Sequence, residues 1–242
     1  MRLTRSLTEN IPPYGDVMIV PRHNCRRLIL RPGKNGGYLL SVPFGYGYIS
    51  AMAALKRMLP ELAAVPHRFA SPDYSIGRVI PFEEGCVRID RSTRRPDRVV
   101  ASVKGHDILI GVGSELDAAA PETVRAVSSL IKKSALYLAP GLLLPRAAVV
   151  AARIGIAPSG WKIGRGASVL GTYHPSDGHI SLSGLLVLLP YELRDYIVCH
   201  ELAHITHCDH SPAFHRLCDA YCGGREKELI RRLKDWQWPI LR

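Results

Sequence analysis

Residues 191–224 read YELRDYIVCHELAHITHCDHSPAFHRLCDAYCGG, and this stretch decides how the rest of the chain is read. Pro190 precedes it and Leu193 and Ile197 recur at helical spacing, so it opens as a helix predicted to run from Tyr191 to about Thr206. His200 and His204 stand four residues apart on one face of that helix, one turn from each other, so both imidazoles can reach a single ion. Glu201, one residue on, can face a water on that ion without being a ligand itself. Zinc lowers the pKa of such a water towards about 7, and a carboxylate can then take its proton as it attacks a carbonyl. Two histidines merely packed or facing solvent are the plain alternative. The helical setting and a third histidine downstream weigh against it.

A catalytic zinc takes three protein ligands and leaves one position open. His207 continues the helical face but lies near 10 Å along it from His200, too far to converge, and reads as a solvated or supporting histidine. Asp209-His210-Ser211-Pro212 breaks the helix, so the chain can fold back and present His210 as the third ligand. Ser211 and Pro212 open the next helix as N-cap and first-turn proline, and Gly223-Gly224 close it. His215, on that helix, is the reserve ligand. Phe214, Leu217 and Tyr221 repeat at helical spacing and read as core, as do Leu193 and Ile197. Tyr196 fits core or cleft.

Working outward, the period changes at Pro121. Glu122 to Leu138 has helical spacing, Pro140 to Pro145 is expected to break the chain, and Arg146 to Ile154 forms another helix. Trp161 to Leu189 reads as strands, with Ser176-Asp177-Gly178 turning between Thr172 and His179. Before residue 115 the chain is strands and turns: Asp16–Val20, Arg27–Leu30, Tyr38–Val42, Gly77–Ile80, Cys86–Ile89, Arg98–Val103 and Asp107–Gly111. One helix interrupts them, Ile49 to Met58. No internal repeat is visible. The expected fold is α+β, with a strand-rich region 1–120 and a helical region 121–242, either separate or one continuous domain.

The 242 residues are 47% apolar and 22% charged, ordinary for a globular chain. The N-terminal stretch lacks a secretory h-region, Leu182 to Pro190 is too short to span a bilayer, and prolines interrupt Ala135 to Ala157. A soluble, cytoplasmic protein with no membrane partner is the expectation. The cysteines (25, 86, 199, 208, 218 and 222) include no Cys-x-x-Cys pair and read as reduced thiols. A second zinc site from Cys208, Cys218 and Cys222 is disfavoured by their spacing. A net charge of +11 and pI near 9.6 suit an anionic partner, nucleic acid or an acidic protein, although the basic residues are not gathered in one tract.

HELAHITHCDHSPAFHRL strongly resembles the YgjP-like zinc metallopeptidases, whose motif is His-Glu-Leu-x-His, five residues, then His-Ser-x-x-Phe. The likeness is sharp over about residues 160 to 222 and looser back to about residue 18. It implies His200, His204 and His210 as Zn2+ ligands, Glu201 as general base, and a protein or peptide substrate. It also implies a zincin-like C-terminal half in which the strand before the motif helix, Gly178 to Leu185, is the edge on which an extended peptide lies. More distantly the chain is similar to the SprT-like and WLM proteases. Two departures bear on the cleft. A Trp-Gly-Ser-Cys-like run in the family is compared here with Ile163 to Ser168, and the family's Phe-Trp after the third ligand is Phe214-His215. Tyr173, His174 and Tyr221 are the candidate oxyanion partners.

The leading expectation is zinc-dependent hydrolysis of peptide bonds. A non-peptide metal-dependent hydrolase shares its water chemistry. A zinc-containing, nucleic-acid-associated binding module with little or no hydrolysis would not need Glu201.

Overall fold

Val17 and Ile19 are fully buried while Asp16 and Met18, which alternate with them, face outward, the period-two pattern of a half-covered strand. That pattern recurs through the first half of the chain. The computed structural model describes residues 2–33, 37–63 and 72–241, and the chain divides into two compact units, Met1–Ala70 and Ser71–Arg242.

The first unit runs β1 (Arg2–Leu3), β2 (Leu7–Ile11), β3 (Gly15–Arg22), β4 (Ile29–Pro32), β5 (Tyr38–Pro43), β6 (Tyr46–Gly47) and helix α1 (Tyr48–Ala63). Its sheet has the order β2-β3-β5-β4, and β1 pairs with β6 apart from it. Ala51, Leu55 and Leu59 of α1 pack on Val17, Ile19, Leu40 and Val42, so the helix covers one sheet face. The second unit begins with β7 (Val79–Phe82), β8 (Gly85–Ser92), β9 (Val99–Lys104), β10 (Asp107–Gly113) and helix α2 (Pro121–Ile154). Its first sheet has the order β7-β8-β10-β9.

These two arrays are the same topology twice: an antiparallel hairpin, a parallel pairing between its second strand and the fourth, an antiparallel third strand at the edge, then a helix. The sequence shows no repeat because alternation alone specifies such strands, and many residue identities satisfy it. The change of period at Pro121 is the start of α2.

α2 corrects one expectation. Pro140 and Pro145 lie inside a continuous helix rather than between two. Each proline removes a backbone N–H and costs about 3 kcal/mol in a helix interior. Yet Ala135, Leu138, Ala139, Leu143, Ala147 and Val150 are buried on both sides of them, so packing carries the helix through. By length and composition α2 could cross a membrane, but it is also the helix on which this unit's core is assembled.

A second correction concerns Trp161 to Leu189. Strands β11 (Gly160–Gly164), β12 (Gly171–His174) and β13 (His179–Ser183) form a sheet of order β11-β13-β12. The apolar run that follows, Gly184–Leu188, is a buried 3-10 turn capped by the Ser183 hydroxyl, which accepts from Leu185 N–H. It lies under α2 so closely that a β-carbon at Gly184 would stand 3.0 Å from the Cα of Leu136. The strand before the motif helix, β13, is therefore central and not an edge. Paired on both sides, it has no free main-chain groups for a peptide; β12 is the antiparallel edge, joined to β13 by the expected turn at Gly178.

Helices α3 (Tyr191–Ala203), α4 (Pro212–Tyr221) and α5 (Glu226–Asp235) complete the unit. α3 ends three residues before the expected Thr206. α5 lies beyond the expected elements; its sequence EKELIRRLKD offers few apolar residues to betray it, and Leu229 supplies its buried side. Arg194, 1% exposed, anchors α3: it donates to Glu84 through two nitrogens and to the carbonyls of Leu189 and Val187. Arg146 of α2 makes a bidentate pair with Asp195 at 2.8 and 2.7 Å. These contacts fix the helix that carries the site.

Candidate metal centre

His200 lies in the last turn of α3 and His204 caps it with helical dihedrals, φ −66° and ψ −20°. The chain then turns, and Ser211 restarts it by accepting the Phe214 N–H at 3.4 Å. That fold-back brings His210 to the pair. Nε2 of His210 is 3.1 Å from Nε2 of His200. Candidate ligand atoms of His200, His204 and His210 all lie within 4.8 Å of one another.

Two nitrogens bound to one tetrahedral zinc at about 2.0–2.1 Å stand about 3.3 Å apart, so the imidazoles are already spaced for such an ion. His204 Nδ1 faces the His207 carbonyl at 3.0 Å, which leaves its Nε2 to coordinate. His207 thus supports the site through its backbone. Nδ1 of His200 is buried without a hydrogen-bond partner. The nitrogen that turns to the site is Nε2, 3.1 Å from that of His210, and imidazole nitrogens are lone-pair donors that suit a divalent cation. Burial first, and the neighbouring histidines second, push His200 down to about 4. Burial also lowers His204. Both are held as the neutral imidazoles that ligate metals.

Phe214 is the floor of the site. Fully buried, its ring centroid lies 4.9, 4.5 and 4.9 Å from those of His200, His204 and His210. The helical spacing of Phe214 identifies it as core but not as the side chain that touches all three imidazoles.

Glu201 is 5% exposed, and among the described residues no cation pairs with it. Burial pushes its carboxyl up to about 7, although the Tyr173 N–H of β12 donates to it. Beside it lies Gly171, where a β-carbon would stand 2.5 Å from Oε1 and 2.6 Å from Cγ of Glu201. Gly171 is a site residue the motif does not contain. A glycine inside a strand is the one sequence signal for such a close approach. Gly171 and the Tyr173 backbone are thus what β12 brings to Glu201, whereas β-carbons at Gly164 and Gly166 would have room.

The other candidates are held elsewhere. His215 Nδ1 faces the buried Glu226 at 2.9 Å, and its ring is 6.3 Å from that of His210. His174 stacks on His179 and meets Ser181 Oγ at 3.1 Å, on the sheet face opposite Tyr173. Tyr221 bonds with Thr206 and lines a separate cavity of about 500 Å³ together with Cys199 and Cys222. Tyr196 is core, its ring edge-on to His200. Among the described residues the three histidines are the one group of His, Cys, Asp or Glu whose ligand atoms converge, so Cys208, Cys218 and Cys222 form no second centre.

A helix presenting His-Glu-x-x-His, a third imidazole from the turn after it and a buried carboxylate between the first two define the metallopeptidase class of site. The profile of the YgjP-like metallopeptidase domain matches residues 26–235, and the chain belongs to that family. No curated protein matches the sequence. Among solved structures, the metallopeptidase zymogen abylysin of Pyrococcus abyssi is similar at 23% identity. The alignment covers 41% of this chain and 100% of that one, with a TM-score of 0.35, too low to define a common fold.

Proposed function

We propose that the chain is a zinc-dependent peptidase acting on a protein substrate, with His200, His204 and His210 as ligands and Glu201 as general base. The observation that carries this reading is the juxtaposition of three converging imidazoles with a buried carboxylate on the helix that bears two of them. Zinc, when bound, would polarise the scissile carbonyl and make water a nucleophile near neutral pH.

The remaining work falls to the chain's own residues. Glu201 takes the proton of the attacking water on its carboxylate and delivers it to the leaving amine. Tyr173 N–H and the absent side chain of Gly171 fix where that carboxylate points. β12 has a free edge beside Glu201, and an extended peptide adding to it would bring its own carbonyls past the site.

Metal content and proteolysis of an unfolded protein such as casein, measured side by side, test this. The wild type should hold one zinc and cleave. Glu201→Gln should keep zinc and lose cleavage, and His210→Ala should lose both. Cleavage by Glu201→Gln at the wild-type rate, or zinc held by a wild type that hydrolyses nothing, would overturn it.

A further inference from the structure

The charge is unevenly spread. Residues 1–70 hold ten Lys and Arg against three Asp and Glu, a net +7, while residues 71–242 hold twenty-two against eighteen. In the second unit the charges answer one another: Arg194 with Glu84, Arg146 with Asp195, and Arg225 and Arg232 with Glu192 and Glu228. In the first unit Glu9 accepts from the Tyr48 hydroxyl and Asp16 from the Asn10 amide. Among the described residues no cation there is paired with a carboxylate of its own unit, and Arg2, Arg5, Arg22, Arg26, Arg27, Arg31, Lys56 and Arg57 are exposed.

Part of that excess lies on the same stretch of chain as one ring of an aromatic pair. β3 and β5 are parallel and end together at Arg22 and Pro43. Phe44 follows, its amide donating to the Arg22 carbonyl at 3.2 Å. Its ring stacks on His23 with centroids 4.0 Å apart and planes 19° from parallel. Phe44 is 47% exposed, and Arg22, His23, Arg26 and Arg27, on the stretch from the end of β3 towards β4, are exposed too. Exposed Met18 and Ile29 stand on the sheet face opposite α1. Stacked rings on the surface contribute nothing to a core; they offer a flat π-face beside unpaired guanidinium groups.

We propose that the first unit binds single-stranded nucleic acid, a base stacking on the His23–Phe44 platform while Arg22, Arg26 and Arg27 hold neighbouring phosphates. Each half answers a different part of the ligand: the arginines its charge, the rings its exposed bases. A duplex offers only the charge, because its bases are stacked on one another.

Fluorescence anisotropy of the full chain with labelled dT20, rU20 and a 20-base-pair duplex tests this. The wild type should bind the single strands at low salt and release them as salt rises. Exchanging Arg22, Arg26 and Arg27 together for Ala should weaken binding at least about 10-fold and flatten the logarithmic salt dependence by about 2. Phe44→Ala and Phe44→Leu should both weaken single-strand binding by about 5- to 50-fold with the salt slope unchanged, and Phe44→Trp should restore it. The dT20 and rU20 arms decide between DNA and RNA. Circular dichroism and an unchanged Tm establish that the variants fold. No binding at low salt, equal affinity for the duplex, or indifference to Phe44→Leu would overturn the proposal.

Discussion

Gly171 and Glu201 are in direct contact: any β-carbon at 171 would fall 2.5 Å from the Glu201 carboxylate oxygen. The glycine is thus the space in which the Glu201 carboxylate sits. Gly171→Ala must displace that carboxylate, because the approach is far inside van der Waals contact. The three atoms nearest that β-carbon all belong to Glu201 and none to the imidazoles, so the variant should keep its metal and lose about 100-fold or more in kcat/KM, the scale on which small displacements of a reacting group act. Metal analysis beside steady-state kinetics checks this. Wild-type activity would mean that Glu201 is not needed where the structure holds it.

Phe214 presses on all three imidazoles, so shortening it should loosen these histidines and open a cavity together. Phe214→Ala should lower stability by about 3–5 kcal/mol and zinc affinity by about 10- to 100-fold. Phe214→Leu, which fills more of the space, should recover most of the stability but less of the affinity. Competition with a chromophoric chelator, read beside chemical denaturation, separates the two effects. An unchanged affinity in Phe214→Ala would reduce Phe214 to ordinary core.

How much of this could be read beforehand follows from the range of the forces involved. The motif residues sit on one helix and one turn, so local geometry alone brings His200, His204 and His210 together. The strands with clean alternation, β3, β8 and β10, are legible for the same reason. Gly171 and Glu201 are thirty residues apart in sequence, and their contact depends on a sheet edge that no local pattern specifies. The unbroken α2 is a contest between two prolines and a long buried face, and propensity sees only the prolines. The centrality of β13 depends on β11 pairing back to it in parallel, a non-local event. α5 is carried by few apolar residues, and its charged face hides it.

Arg194 has four acceptors and almost no exposure, so its cost is met only while all of them are present. Glu84→Ala leaves a buried guanidinium short of its counter-charge and should destabilise the protein by about 3–5 kcal/mol. Arg194→Met, which removes the charge with the stem retained, should cost less than Glu84→Ala. Tm values of the two variants and of the double variant check this ordering. The reverse order would show that the backbone bonds to Leu189 and Val187 matter more than the ion pair.

Glu201 also leaves a trace in the stability of the metal-free protein. Its carboxyl is held at about 7 by burial against an ordinary 4.5. Between those values the folded chain keeps a proton that the unfolded chain has released. Stability must then fall as pH rises through that window and, for this group, level off above 7. Glu201→Gln cannot titrate. In the presence of a chelator it should match the wild type near pH 4 and exceed it at pH 8 by up to about 3 kcal/mol. Thermal melts of both proteins across pH 4 to 8 decide it. A gap between them that does not change with pH would mean that Glu201 is not held protonated by its surroundings, and that its burial places no strain on the metal-free site.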